Sequence, residues 1–354
     1  MTSLGRTAVL LFNLGGPESL DAVEPFLYNL FSDQDIMAFP PVLRTLLPRL
    51  ITMKRAPTSR AYYRAIGGGS PLRAITDRQA RALESALNEG VPETDPPPFR
   101  VFVAMRYAPP RMADLLETIR AFAPERVVLL PLYPQRSTTT TRSSFREFLE
   151  IARSRLSLSD DALRVIAAYP AFPPYLAALA ETVQTALDRI PPDEEPVDIL
   201  YSAHGIPEAR VRKGDPYQLD TETTVREVSA LLGPHNPGRT LRTHLAYQSR
   251  VGPMKWLGPE TKETIRTLAG SGCRTLVLVP VSFVSDHQET LYEMDITYRK
   301  LARDVAIRTF ERAPAINLLP SFTEALRALV FEALAGQCPT SQPCNCRCGA
   351  CPAP

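Results

Sequence analysis

The segment RTLVLVPVSFVSDH, residues 274–287, is a nearly continuous apolar run that ends in an acid and a histidine. A strand with apolar side chains on both faces is typical of a parallel sheet that helices cover on each side. The segment therefore predicts a buried parallel strand with polar groups at its carboxyl end. Ligands of open α/β sheets bind outside the carboxyl ends of the strands, so this end is the first candidate for a functional site.

Apolar, β-rich runs of this kind occur in the same order in each half of the chain. Those of the first half are TAVLLFNLGGP (7–17), FRVFVAMRYAPP (99–110), RVVLLPLYPQRS (126–137) and RVIAAYPAFPP (164–174). Those of the second half are VDILYSAHGIP (197–207), RTHLAYQSRVGP (242–253), RTLVLVPVSFVSDH (274–287) and AINLLPSF (315–322). The repeat predicts an α/β fold of two similar Rossmann-like domains, each with a four-stranded parallel sheet flanked by helices. The predicted boundaries are 1–172, which includes an insertion at 18–98, then 173–322, and 323–354 for a C-terminal helix and cysteine-rich tail.

Composition excludes some classes of protein. The 354 residues carry a formal net charge of +2, so no basic field for nucleic acid is expected. No apolar run approaches the roughly 18 residues that a membrane-spanning helix needs. We therefore expect a cytoplasmic protein, in which cysteines are more often metal ligands than disulfides.

Polar side chains follow two of the predicted strands. His204 ends the run DILYSAH and is followed by a Gly-Ile-Pro turn; a lone histidine is more often structural, but a neutral imidazole can also accept a proton or bind a metal. On a helix, Asp286, Glu289 and Glu293 would share one face. Such crowded carboxylates take up protons or bind a cation, which suggests a conduit leading toward His204, whereas the alternative is ordinary helix capping.

Two segments of the insertion have open interpretations. The turn YYRAIGGGSPL (62–72) lacks the lysine of a phosphate loop. Its glycines either allow close approach to a flat ligand, whose carboxylates Lys54, Arg55 and Ser70 could hold, or form a flexible turn beside solvated charges. The segment MAFPPVLRTLLPRLITMKRAP (37–57) is either an amphipathic lip that touches a membrane or an ordinary core helix.

Five of the six cysteines lie in the tail CPTSQPCNCRCGAC, residues 338–351. This density predicts a metal or iron–sulfur centre, with tetrathiolate zinc or an unliganded tail as alternatives. Cys273 precedes an apolar strand and is expected to be buried and structural.

Together, the motifs LFNLGGPESLDAVEPFLYNLFSD, YYRAIGGGSPL, SAHGIP, KGDPY, YQSRVGPMKWLGP and SDHQETLYEMDI resemble the ferrochelatase family over about residues 7–335. The resemblance implies an enzyme, a porphyrin metal chelatase of the lyase class, that inserts Fe²⁺ into protoporphyrin IX, releases two protons and forms protohaem in the terminal step of haem synthesis. Two similar domains with the porphyrin in their cleft are also implied. Coproporphyrin III or a sirohydrochlorin-type ring as substrate, or a non-catalytic haem or iron–sulfur sensor, are the alternatives.

The resemblance also implies roles for individual residues. His204 and Glu289 match the catalytic and metal-binding pair, and Asp286, His287 and Glu293 match an acidic metal or proton path on a π-helical turn. A further set matches porphyrin-binding positions: Leu14, Arg55, Tyr63, Ser70, Arg106 and Tyr107.

In the tail, the resemblance implies a 2Fe–2S cluster on Cys338, Cys344, Cys346 and Cys351, with Cys348 as a substitute. Thr138 stands where cluster-bearing relatives have a fourth cysteine. The implied partners are the porphyrin, the haem product and the inner face of the cytoplasmic membrane as a peripheral contact, with no nucleic acid, in a monomer or homodimer.

Overall fold

The computed structural model describes residues 5–91, 96–153, 155–156, 158–250 and 254–337. These residues form two compact units. The first contains the chain up to Tyr169 and the segment from Thr323 onward, and the second is Pro170–Phe322. The cysteines of the tail, and with them the predicted cluster, lie outside the described residues.

The first unit is built on a four-stranded parallel sheet in the order β2-β1-β3-β4. Its strands are β1 (Thr7–Asn13), β2 (Phe99–Met105), β3 (Arg126–Pro131) and β4 (Leu163–Val165). Its helices are α1 (Val23–Ser32), α2 (Leu46–Ala65), α3 (Leu72–Asn88), α4 (Met112–Phe122) and α5 (Thr141–Phe148), with 3₁₀ turns at Pro41–Leu43 and Asp160–Ala162 and a π-helical turn at Leu149–Arg153. Every residue of β1 is buried, as expected for a central strand with helices on both faces.

The second unit repeats the architecture in the order β6-β5-β7-β8, again all parallel. Its strands are β5 (Val197–His204), β6 (Leu241–Gln248), β7 (Thr275–Val279) and β8 (Thr309–Arg312). Its helices are α6 (Pro173–Leu187), α7 (Glu208–Arg212), α8 (Tyr217–His235), α9 (Thr261–Gly270) and α10 (Arg299–Asp304), with a π-helix at Glu289–Tyr298. Helix α11 (Pro320–Leu334) follows, and from Thr323 onward it belongs to the first unit, within which Phe331 contacts Phe99 edge-on.

The predicted fold class is confirmed, and one predicted strand is wrong. Two four-stranded parallel sheets are present with equivalent strand orders. The last strand, however, is Thr309–Arg312 and not the segment 315–322. Asn317 in that segment has a φ of +49°, which breaks an extended strand, and α11 begins at Pro320.

Candidate active site

His204 lies at the carboxyl end of β5, in the middle of the second sheet. Its backbone N–H donates to Ser282 Oγ, 2.9 Å away, just beyond β7. Gly205 follows because the chain passes very close to β6: a Cβ there would lie only 2.7 Å from the Gln248 carbonyl oxygen. Strand end and turn thus place the imidazole at a defined point.

Glu289, the first residue of the π-helix, faces this imidazole. His204 Nδ1 lies 2.9 Å from Glu289 Oε2, and the side chains keep 39% and 17% of their surface exposed. Burial alone would raise the pKa of Glu289, but the charge and hydrogen bond of His204 lower it to about 2. Burial alone would lower the pKa of His204, but the negative charge of Glu289 and the hydrogen bond to it raise it above its ordinary value. Because an ionised carboxylate only accepts, Nδ1 carries the hydrogen of this bond.

A second carboxylate is coupled to Glu289 through a hydroxyl. Ser249 Oγ lies 3.1 Å from Glu289 Oε2 and 3.2 Å from Glu293 Oε2. The hydroxyl of Tyr298 lies 3.4 Å from the same oxygen of Glu293. Burial and the nearby charge of Glu289 raise the pKa of Glu293 to about 7. The site therefore holds one firmly ionised carboxylate and one that exchanges a proton near neutral pH.

His287 presents a free lone pair to the same site. Its Nδ1 lies 3.2 Å from the Ser285 carbonyl oxygen, which can only accept, so Nδ1 carries the hydrogen and Nε2 the lone pair. Burial lowers the pKa of His287, which keeps the ring neutral. Its Nε2 lies 4.0 Å from Glu289 Oε1. Two ligands about 2.1 Å from one ion can be up to about 4.2 Å apart, so this nitrogen and oxygen could share a metal ion.

The structure gives Asp286 other partners. Its carboxylate accepts from Thr290 Oγ1 at 2.7 Å, Asn317 Nδ2 at 2.8 Å and Arg312 Nη1 at 3.2 Å. Arg312 thus compensates the charge of Asp286, and the place of Asp286 on a metal or proton path stays a prediction. Asp286 therefore holds the segment before the π-helix in place. No three His, Cys, Asp or Glu side chains among the described residues converge to hold a metal ion.

Two contacts of Glu289 were missed by sequence reasoning. Gln248 is the last residue of β6 and donates from Nε2 to Glu289 Oε2 at 3.0 Å, and Ser249 follows it. Gln248 pairs with His204 across the sheet. The contact could have been predicted from the sequence, because polar residues that end neighbouring parallel strands lie close together in the sheet.

In the first unit, Arg106 and Tyr107 belong to an internal network of charges and hydrogen bonds. The Tyr107 hydroxyl donates to Asp33 Oδ2 at 2.7 Å, and Arg106 Nη2 donates to the same oxygen at 2.9 Å. Arg106 also donates to Ser143 Oγ at 2.8 Å and to Glu147 Oε1 at 3.1 Å. Tyr107 is fully buried, and three guanidinium nitrogens of Arg106 have protein partners. Their contact with a porphyrin stays a prediction.

The other predicted porphyrin positions of the first unit differ in accessibility. Arg55 is exposed on α2, and Leu14 is half-buried after β1. Tyr63 and Ser70 are buried, with Tyr63 in an apolar cluster and Ser70 Oγ accepting from the Leu72 N–H at 3.3 Å.

The glycines of the turn at 67–69 are explained by packing at Gly69 and by backbone conformation at Gly67 and Gly68. A Cβ at Gly69 would lie 2.3 Å from the Glu18 carbonyl oxygen, and Gly67 and Gly68 adopt φ values of +106° and +98°. A bound ligand is therefore not needed to explain these glycines.

The segment around the start of α2 exposes large apolar side chains, which we call the lip. Val42 is 86% exposed and Met53 64%, and Leu46 and Leu50 are about half exposed. Its exposed basic residues are Arg44, Arg49, Lys54 and Arg55. Helix α2 buries its other side through Pro48, Thr52 and Ala56. Among the described residues, no helix has both the length and the apolar character needed to cross a membrane.

Comparisons with known proteins agree in pointing to one family. The model of the Ferrochelatase family matches residues 6–334. A ferrochelatase of Thermosynechococcus vestitus is 45% identical over 333 residues, covering 93% of this chain and 83% of the relative. One of Gloeobacter violaceus is 44% identical over 333 residues, covering 94% and 98%.

Among solved structures, SirB from Bacillus subtilis with Fe³⁺ matches with a TM-score of 0.53 at 12% identity, over 94% of this chain and 96% of that chain. At this level of identity the likeness shows the shared chelatase fold.

Proposed function

The chain belongs to the ferrochelatase family, the porphyrin metal chelatases of haem biosynthesis, and from this premise we propose that it inserts Fe²⁺ into protoporphyrin IX to form protohaem, as a lyase. Fe²⁺ and a porphyrin are the substrates that the family implies, and haem is the product. The observation that carries the proposal is the pair of His204 and Glu289 at the carboxyl end of β5, joined by a 2.9 Å hydrogen bond.

His204 serves as the proton acceptor. Metal insertion replaces the two pyrrole N–H protons of the porphyrin, so a base that works near neutral pH is required. In its neutral form, His204 carries its hydrogen on Nδ1, which donates to Glu289, so Nε2 has the lone pair that takes a pyrrole proton. The imidazolium that forms is then stabilised by the ionised carboxylate, as in other carboxylate–histidine pairs.

Glu293 accepts the second proton by way of Ser249. The pKa of Glu293, about 7, suits a group that takes and releases protons at neutral pH. Ser249 Oγ lies within hydrogen-bond distance of both Glu289 and Glu293 and supports this route. On the metal side, His287 Nε2 and Glu289 Oε1 are the nitrogen and oxygen that would hold the incoming Fe²⁺.

The porphyrin contacts of the first unit are proposed with different roles. Arg55, exposed on α2, would bind a propionate, and half-buried Leu14 would pack against the macrocycle. Tyr63 and Ser70 would contribute through the small part of their surface that remains accessible. Arg106 and Tyr107 would support the pocket by holding Asp33.

An anaerobic assay tests the proposal. Purified protein is offered Fe²⁺ with protoporphyrin IX or coproporphyrin III, and haem formation is followed by its Soret band. We expect turnover of protoporphyrin IX, loss of that turnover in Glu289→Gln, and no change in Glu263→Gln, an exposed residue of α9. Turnover of coproporphyrin III alone would correct the substrate. No turnover of either, with porphyrin still bound, would favour a haem or iron–sulfur sensor.

The lip supports a peripheral membrane contact, which suits a lipophilic porphyrin. Its exposed apolar side chains lie among basic residues that favour anionic lipid. Met53→Glu should weaken flotation with anionic liposomes, and Leu219→Glu, at an exposed leucine of the second unit, should not. Equal flotation of both variants and the wild type would count against the lip as the contact.

The cysteine tail is proposed to hold a 2Fe–2S cluster, with zinc as the alternative. The support is the sequence alone, which places Cys344, Cys346, Cys348 and Cys351 within eight residues. Metal and sulfide analysis of the full chain and of a chain ending at residue 337 would decide between the two. A sulfide-free, zinc-containing tail would replace the cluster with a zinc site.

A further inference from the structure

A line of three buried polar side chains leads to Glu289 from inside the second sheet. Thr261 Oγ1 lies 2.9 Å from Ser202 Oγ, and Ser202 Oγ lies 2.8 Å from Gln248 Oε1. Gln248 Nε2 then lies 3.0 Å from Glu289 Oε2. Thr261, Ser202 and Gln248 are buried almost completely. The hydroxyls of Thr261 and Ser202 hydrogen-bond to each other, and that of Ser202 to Gln248, so that they reach Glu289 only through Gln248.

The direction of every hydrogen bond in this line follows from its last member. A carboxylate can only accept, so the Gln248 amide must turn its N–H group toward Glu289 and its carbonyl oxygen toward Ser202. Ser202 must therefore donate its single hydrogen to that oxygen, and Thr261 must donate to Ser202. All three donors point one way, so each bond polarises the next toward Glu289.

These contacts make the two oxygens of Glu289 unequal. Oε2 accepts from His204 Nδ1, Gln248 Nε2 and Ser249 Oγ, at 2.9, 3.0 and 3.1 Å. Oε1 has His287 Nε2 at 4.0 Å. A carboxylate with one oxygen held by three donors cannot rotate freely, so the same oxygen always remains available.

We propose that Ser202 and Thr261 are positioning residues that act through Gln248: they anchor Oε2 of Glu289 and leave Oε1 as the oxygen that meets the metal ion. Ser202 is the donor that satisfies the buried Gln248 carbonyl oxygen, so without it the amide is no longer held in one orientation. This inference rests on the proposed role of Glu289.

The test compares variants of residues whose hydroxyls hydrogen-bond to partners other than Glu289. Ser202→Ala removes the donor to the Gln248 carbonyl, so the amide can turn and present its oxygen to Glu289. We expect kcat with Fe²⁺ and protoporphyrin IX to fall about ten-fold, the rate equivalent of one hydrogen bond, with the KM for porphyrin unchanged. Thr261→Val, one bond further away, should lower kcat about two- to three-fold. Thr264→Val is the matched control in α9, because its hydroxyl donates only to the Glu260 carbonyl, and it should leave kcat unchanged.

The outcomes separate this inference from the proposed function. Suppose that Ser202→Ala and Thr261→Val fold and keep wild-type kcat, while Glu289→Gln is inactive. This outcome would overturn the positioning role and leave the proposed chelatase function standing. A fully active Glu289→Gln would overturn the role of Glu289 and the inference with it. Should Ser202→Ala fail to fold, Thr261→Val decides: reduced kcat with wild-type KM supports the positioning role, and wild-type kcat overturns it.

Discussion

Replacing Asp33 should destabilise the first unit strongly. Its carboxylate is 1% exposed and is held by several donors: the backbone N–H of Asp35 and the side chains of Arg106, Tyr107, Ser143 and Arg146. Breaking a buried ion pair by removing one partner costs about 3–5 kcal/mol. Since Arg106 keeps Glu147 at 3.1 Å, we expect the lower end, about 3 kcal/mol, for Asp33→Ala. At about 2–4 °C per kcal/mol for a unit of 150–250 residues, Tm should fall by about 6–12 °C.

The pH dependence of this loss is also determined. Burial would raise the pKa of Asp33, but the hydrogen bond from Ser143 and the charge of Arg106 lower it overall, below 3.8. A carboxyl group with a lowered folded-state pKa stabilises the protein above its unfolded-state pKa and loses this effect as the pH falls through the folded-state value. The difference in Tm between wild type and Asp33→Ala should therefore be largest above about pH 5 and shrink in stronger acid.

Thermal denaturation followed by circular dichroism at several pH values measures both effects. The control is Glu24→Ala, which removes an exposed ion pair with Arg60 and should cost less than about 1 kcal/mol. A loss for Asp33→Ala no larger than that of the control, or a difference that does not shrink in acid, would refute the reasoning.

Three further predictions concern the second unit. Gly205→Ala should lower both Tm and kcat, because the new Cβ would lie 2.7 Å from a carbonyl oxygen of β6; a Tm within 1 °C of wild type, in a melting experiment with a resolution of about 1 °C, would contradict this. Arg312→Met should lower kcat by loosening Asp286 and the start of the π-helix, and wild-type activity in a steady-state assay would argue against it. Glu293→Gln should raise Tm at pH 8 but not at pH 5. A carboxyl group whose folded-state pKa is raised to about 7 destabilises the folded protein increasingly as the pH rises from the unfolded-state pKa through 7. Equal shifts in Tm at both pH values would count against the raised pKa.

The fold was predictable because its signal is local and repeated. Apolar runs in the same order in both halves specify parallel sheets without knowledge of any contact. The placement of His204 and Glu289 at strand ends was predictable for the same reason. The neutralisation of Asp286 was not predictable. Its partner Arg312 lies on β8, a strand whose position was itself predicted wrongly.

The roles of Arg106 and Tyr107 required knowledge of α1 and α5. Their partners Asp33 and Ser143 are far away in the sequence, and no periodicity connects them. A motif that resembles a ligand contact can also belong to a buried network, and only the packing reveals that network.

The equivalent strand orders of the two sheets suggest a division of labour between duplicated halves. The pair Arg106 and Tyr107 lies just after β2, and the pair Gln248 and Ser249 lies at the end of β6. The first pair holds the carboxylate of Asp33, and the second holds that of Glu289. In the first half the acid is Asp33, and a permanent cation, Arg106, neutralises it. In the second half the donors are an amide and a hydroxyl, together with a histidine that can gain or lose a proton. Two halves with the same framework can thus differ in reactivity through the few polar side chains that surround one carboxylate.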